Sequence, residues 1–419
     1  FLADMQTGLF YPPNLLLFLL APDFVYKALE WMAVLHVFLA GLFMYLCLRY
    51  MEPGRPVRVP AALLGAIAYM FSDLFIVHFG NLNLIGVAAW LPLVFLLFWR
   101  ALRTRSLGWA VGAGAAFGIS TLEGHLQITL YIGLALTVLA IAEAVAAHRT
   151  RRGWVWSLLV LVIAAAVAIG LSALVLLPAL EYTRLSPRAT LPYREAARFS
   201  LVPGLLGEMV VPALFSSREP SLSWGVWDRV AVGYLGIFPL ILAGLAVLLW
   251  RGREIGLLVT LAIVALLLAL GGESVVHGWA YWLLPGFGQL RAPARTILLL
   301  DFALAALAAI ALDRFLSPLD RQARRTFQKA WQGLLWFGLV ALIVGGAWAY
   351  LVIYQAQAQD PTVFWRVSSA GSGVIFALLM LGASLLWLSA RRAGRPRRGA
   401  LACLAVGLVF LDLATVGAY

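Results

Sequence analysis

The chain is 419 residues long; 63% of these are hydrophobic, only 12% are charged, and the formal charge is +12. An ordinary soluble domain carries about 25% charged residues, so a soluble enzyme, a disordered chain and a coiled coil are excluded. The apolar runs are continuous rather than alternating, which excludes a transmembrane barrel and leaves an all-α polytopic transmembrane helical bundle.

Residues 1–30 read as a truncated first extracytoplasmic loop with an interfacial segment. Asp4, Gln6 and Tyr11 precede the double proline Pro12-Pro13, which is expected to stop a helix and pin an extended turn. Leu15 to Leu20 is too short to span and is assigned to the membrane interface. The bland alternative is a solvated loop that displays Asp4.

Residues 31–177 form a first transmembrane group, with runs at 31–50, 60–72, 83–100, 107–122, 126–147 and 154–177. The run at 60–72 is short, so it is either tilted or continued by a polar segment buried in protein. Asp73, His78, Asn81 and Asn83 fall where this run emerges; capping by Asn83 is one reading and a binding site is the other. Trp90 and Pro92 read as belt and kink residues. Gly112, Gly114 and Gly118 read as a close-packing face.

Thr121-Leu-Glu123-Gly-His125-Leu-Gln127 joins two runs with almost no loop. Polar groups at that boundary are costly unless paired or solvated in a cavity. A Glu/His pair can move protons or bind a cation, and a hydrogen-bonded turn is the alternative.

Residues 178–230 are a long outer loop, and 231–419 hold a second transmembrane group with runs at 231–250, 255–271, 296–314, 331–353, 373–390 and 400–417, twelve runs in all. Arg291 and Arg295 precede the run that contains Asp301. Two guanidinium forks at a helix mouth suit a phosphate group; headgroup anchors, or a salt bridge from Arg295 to Asp301, are the alternatives. Glu30, Asp301 and Asp412 are isolated acids in or beside apolar runs; for Asp412, reaching outward to water is the simpler reading. Cys47 and Cys403 read as small buried hydrophobes.

Twenty-one of the 31 basic residues fall in alternate, short loops, which places those loops in the cytoplasm and both chain ends outside. A further span is therefore expected before Phe1. The same distribution explains the positive charge by anionic lipid rather than by nucleic acid. GxxxxGK[ST], HExxH, CxxC and GxSxG patterns are absent, so no cofactor is implied, and a divalent metal is not indicated.

Several pieces, in order, resemble the YfhO-type family of bacterial membrane proteins, which is placed with the polytopic glycosyltransferases of the C superfamily. They are Phe1-Leu-Ala-Asp4-Met-Gln6 with Phe10-Tyr11-Pro12, Gly65 to Ser72, Ala89-Trp90-Leu91-Pro92-Leu93, Glu123-Gly124-His125-Leu-Gln127, Tyr234-Leu-Gly236 with Pro239-Leu240, Pro285 to Arg295, and Leu411-Asp412-Leu413. Glu123 departs from the pattern, which often has a small residue there.

The resemblance implies an enzyme of the bacterial cytoplasmic membrane with an extracytoplasmic active face. It would move a sugar from a polyprenyl-phosphate-linked donor to a cell-envelope polymer, lipid or protein. An acid of the first outer loop would act as base, which makes Asp4, or an acid upstream of it, the catalytic carboxylate, with His125 the second catalytic candidate. Arg291 and Arg295 would hold the lipid phosphate, and Asp73, Asn81, Glu123 and Gln127 would line the sugar or acceptor site. A transporter or flippase of lipid-linked saccharide and a structural subunit of a membrane complex are the competing readings. The absence of a clear internal repeat and the clustering of polar groups at the outer boundary favour the enzyme.

Overall fold

The computed structural model describes residues 5–20, 26–51, 56–146, 150–215, 232–357, 360–394 and 397–418. Its first half holds α1 (Pro12–Leu20), α2 (Tyr26–Tyr50), α3 (Val59–Met70), α4 (Asp73–Val77), α5 (Leu82–Ala89), α6 (Leu91–Thr104), α7 (Leu107–Thr121), α8 (Leu126–Ala146) and α9 (Arg151–Arg184). The second half holds α10 (Tyr193–Ala196), α11 (Ile237–Leu249), α12 (Arg253–Ala269), α13 (Val275–Leu283), α14 (Ile297–Phe315), α15 (Arg321–Ala356), α16 (Pro361–Ala393) and α17 (Arg398–Ala418). Among the described residues each predicted apolar run contains a helix, although 232–236 of the run at 231–250 is not helical. Among the described residues nine helical stretches are long and apolar enough to cross a membrane, while Leu107–Thr121 and Ile237–Leu249 are apolar but shorter. The molecule is an all-α, multi-pass membrane protein.

Pro12 and Pro13 open α1 rather than stopping a helix. The first turn of a helix has unpaired N–H groups anyway, so a residue without one costs nothing there. α1 buries none of its residues, and Leu16, Leu19 and Leu20 are exposed, as an interfacial segment would be. The short run at 60–72 is short because its helix breaks. α3 ends at Met70, Ser72 is extended, and the chain restarts as α4. A second break separates α5 from α6 at Trp90, with Pro92 in the first turn of α6.

α14 is the hub: it packs on α3, α11 and α12, and nearly all of its span is buried. α15 packs on α16 and α11 and, near its start, through Phe327 on Phe315, while its Leu335, Trp336, Phe337, Leu342 and Ile343 are exposed. Gly114 and Gly118 let α7 approach α9 closely, since a Cβ on them would lie 2.6 Å from the Ala164 carbonyl and 3.0 Å from that of Ala168. Gly112 faces open space and takes no part in that seam. Cys403 is exposed, contrary to the sequence expectation, whereas Cys47 is buried. Glu30 is also exposed.

The basic loops gather at one end of the bundle. Arg100 donates to the Tyr50 carbonyl, Arg58 pairs with Asp313 at 3.3 Å, Arg314 with Glu254 at 2.7 Å, and Arg253 with Glu143 at 2.7 Å. Arg391 donates to the carbonyls of Phe315 and Ser317. The junctions that precede α8 and α14, with the 187–209 segment tied to them, lie at the opposite end.

Candidate functional site

The opening segment is bolted to that opposite end. Trp90 Nε1 donates to the Tyr11 hydroxyl at 2.8 Å, and His36 Nε2 lies 3.0 Å from the same oxygen. The Met32 carbonyl can only accept, so His36 Nδ1, 2.7 Å from it, carries the proton of the neutral ring. His36 Nε2 is then the acceptor, and the Tyr11 O–H donates to it. Trp90 thus faces inward, and its role is an anchor rather than a belt residue.

Beyond Tyr11, Asn14 Nδ2 donates to the Gly8 carbonyl and to Glu123 Oε2, both at 3.0 Å. Gly8 is left-handed at φ +54, and a Cβ there would stand 3.1 Å from Glu123 Oε2. Gly86 of α5 leaves space for the other face of the same carboxyl, 2.8 Å from Glu123 Cγ to where its Cβ would be. Glu123 is only 3% exposed, and burial pushes its carboxyl up to about 8, against the pull of the Asn14 hydrogen bond. Around neutral pH it is largely uncharged.

Two residues on, His125 accepts from the Ile128 N–H through Nδ1 at 3.3 Å. Burial, with the Arg295 charge next and His78 and Arg188 adding to it, pushes the imidazole down to about 3. The ring is therefore neutral, its proton sits on Nε2, and His125 is a hydrogen-bond donor rather than a base. Gln127 opens α8. Its Nε2 donates to the Tyr131 hydroxyl at 2.8 Å, to the Ala292 carbonyl at 3.1 Å and to the Arg291 carbonyl. Its Oε1 accepts from Arg295 at 3.0 Å.

The expected salt bridge from Arg295 to Asp301 does not form. Among the described residues Arg295 has no carboxylate partner, and its guanidinium is held by the Gln127 amide. Arg291 is more open, 45% exposed, and pairs with Glu195 at 3.5 Å; Arg198 shares that carboxylate at 3.4 Å. The 187–209 segment is laced over this region, with Ala292 N donating to the Arg198 carbonyl at 3.0 Å and Tyr281 to the Leu191 carbonyl at 2.6 Å.

Glu123, His125, Gln127, Arg291 and Arg295 thus come together at one rim. Asp73 and Asn81 make other contacts. Asp73 accepts from Val232 N at 2.6 Å, and its own N–H donates to the Tyr234 carbonyl at 2.9 Å. Asn81, not Asn83, is the residue before α5, and its side chain makes no capping bond. Asp4 lies outside the described residues. Asp301 is fully buried, and among the described residues neither of its carboxylate oxygens has a partner in hydrogen-bond geometry. Asp412 does not reach outward: Tyr234 donates to it, and it accepts from Ile237 N at 2.9 Å, capping α11. Among the described residues no three His, Cys, Asp or Glu side chains gather as a metal would require.

Sequence reasoning missed Asn14 as the partner of Glu123 and Glu195 as the partner of Arg291. Asn14 directly follows the double proline singled out in the sequence, while Glu195 carries no pattern of its own.

No family model and no curated protein matches the chain. Its fold is similar to that of ArnT from Cupriavidus metallidurans, solved bound to undecaprenyl phosphate, at 17% identity and a TM-score of 0.53, covering 93% of this chain and 63% of that one. The apo structure of the same protein gives 18% identity and a TM-score of 0.52, covering 93% and 62%. At these identities the likeness is one of fold, and this chain spans under two thirds of the length of ArnT.

Proposed function

We propose that this membrane protein transfers a sugar from a polyprenyl-phosphate-linked donor to a cell-envelope acceptor, at the rim where Glu123, His125, Gln127 and the two arginines meet. One observation carries the reading: Arg295 is a half-buried cation with no carboxylate partner among the described residues, held by a neutral amide at the mouth of a span. A buried charge left uncompensated is expensive, and a phosphate is the group whose geometry a guanidinium fork matches. The fold shared with ArnT, solved with undecaprenyl phosphate, and the YfhO-type motifs support the same class of donor.

The acceptor oxygen attacks the anomeric carbon, and the bond from that carbon to the phosphate oxygen breaks. The electron pair leaves on the lipid phosphate, where Arg295 and Arg291 stabilise it. The acceptor proton goes to a carboxylate, assigned to Asp4. His125, neutral and bearing its proton on Nε2, donates to a sugar hydroxyl or to the phosphate. Glu123, buckled to Asn14, holds the first loop over the site. Asp73 is held by Val232 N and Asn81 precedes α5, so neither is assigned to this rim.

The test is transfer from an undecaprenyl-phosphate-linked sugar by the purified protein in lipid. Arg295→Ala is expected to cut turnover by about a hundred-fold or more, the scale of losing one transition-state donor, with unchanged thermal unfolding. Arg291→Ala, already shared with Glu195 and half exposed, is expected to cost less. Unchanged turnover in Arg295→Ala would remove the phosphate assignment.

A further inference from the structure

The amide of Gln127 has one possible orientation. The carbonyls of Arg291 and Ala292 can only accept, and the Arg295 guanidinium can only donate. Nε2 must therefore face the carbonyls and Oε1 the guanidinium. The two Nε2 hydrogens already serve three acceptors, the third being the Tyr131 hydroxyl. Gln127 is 7% exposed, and nothing on its Nε2 remains for a sugar, so lining the sugar site is not its task.

What the amide does is fix both arginines at once. It grips the guanidinium of Arg295 directly. It grips Arg291 through the backbone, at a turn where Ala292 is left-handed, φ +54, a conformation unfavourable for a non-glycine residue. Gln127 and Tyr131 stand one helical turn apart on α8, on the same face. The Tyr131 ring lies 6.0 Å from that of Phe287, so the platform is braced from the segment that carries the arginines.

A carboxylate in this place would hold Arg295 more strongly. It would also cancel its charge and face two carbonyl oxygens. A neutral acceptor aims the guanidinium and leaves its full charge for an incoming anion. We infer that Gln127 is a positioning residue, an uncharged pivot that presets Arg291 and Arg295 for the phosphate of a lipid phosphate ester. This rests on the phosphate reading of the two arginines.

The experiment measures binding of undecaprenyl phosphate and of undecaprenol, which lacks the phosphate, to the full chain in nanodiscs. Gln127→Met is expected to weaken undecaprenyl phosphate by roughly ten-fold and to leave undecaprenol unchanged, which a merely structural defect would not do. In an Arg295→Ala background the same substitution is expected to cost less than it does in wild type, because the grip on Arg295 is already gone and only the hold on the Arg291 turn remains. Equal affinity in wild type and Gln127→Met, equal losses for both lipids, or fully additive losses would each overturn the role. Should the Met variant fail to fold, Gln127→Asn keeps the amide but withdraws it by one methylene. It is expected to show the same phosphate-selective loss, and wild-type affinity there would overturn the pivot. If instead Arg295→Ala binds undecaprenyl phosphate as wild type does, the phosphate site itself is wrong, an outcome distinct from a silent Gln127.

Discussion

Glu123 shows how burial rewrites the meaning of a residue. Its carboxyl is pushed from an ordinary 4.5 up to about 8. Between those values the folded protein keeps a proton that the unfolded chain releases. Folding stability from this group therefore falls as pH rises from about 4.5 to about 8, and levels off above. Glu123→Gln keeps an oxygen for Asn14 and removes the titration. Its unfolding midpoint is expected to change less than that of wild type between about pH 6 and about pH 9, measured by thermal unfolding in detergent. A parallel decline in both proteins would show that other groups carry the pH dependence. The residue itself stands out in the sequence because an acid is rare between two apolar runs. Its partner does not, since Asn14 lies 109 positions away and only the fold brings them together.

Elements are joined here by a few specific contacts. Tyr11 ties the opening segment to α2 and α6 through His36 and the Trp90 at the head of α6. Tyr11→Phe deletes the hydroxyl and leaves two buried partners unpaired, for a cost of about 1–3 kcal/mol. Hydrogen exchange across residues 8–15 is expected to quicken as that segment loosens; unchanged protection would show that Asn14 alone suffices as an anchor. Helix α7 offers a paired comparison. Gly114→Ala drives a methyl into the Ala164 carbonyl and is expected to destabilise by about 1–3 kcal/mol. Gly112→Ala meets open space and should be neutral or slightly stabilising, by about 0.5–1 kcal/mol, through helix propensity. Equal effects on unfolding would refute the α7–α9 seam. Spacing alone marked three glycines as one face; it could not tell which of them meets a neighbour. The helices themselves were legible because about 20 apolar residues leave a chain few other choices. The breaks at Ser72 and Trp90 were less so. They follow from packing against α14 and Tyr11, and only Pro92 announces one of them.

For the whole molecule, the charge pattern and the contacts agree that the basic loops share one end and the candidate site occupies the other. In a background without Cys47 and Cys403, Thr190→Cys is expected to react with a membrane-impermeant maleimide on intact cells, and Thr104→Cys only after permeabilisation. The reverse pattern would turn the protein over and put the site in the cytoplasm. The two halves of the site come from the mouths of two membrane spans: Gln127 begins α8, and Arg295 stands in the turn that leads into α14. Helix mouths of this kind lie at the level where bilayer phospholipids carry their own phosphates. On the proposed function, a carrier lipid would reach Arg295 without rising out of its leaflet. Its encounter would then be a search over a plane rather than through a volume, and the ordinary phospholipids around it would be standing competitors for the same guanidinium.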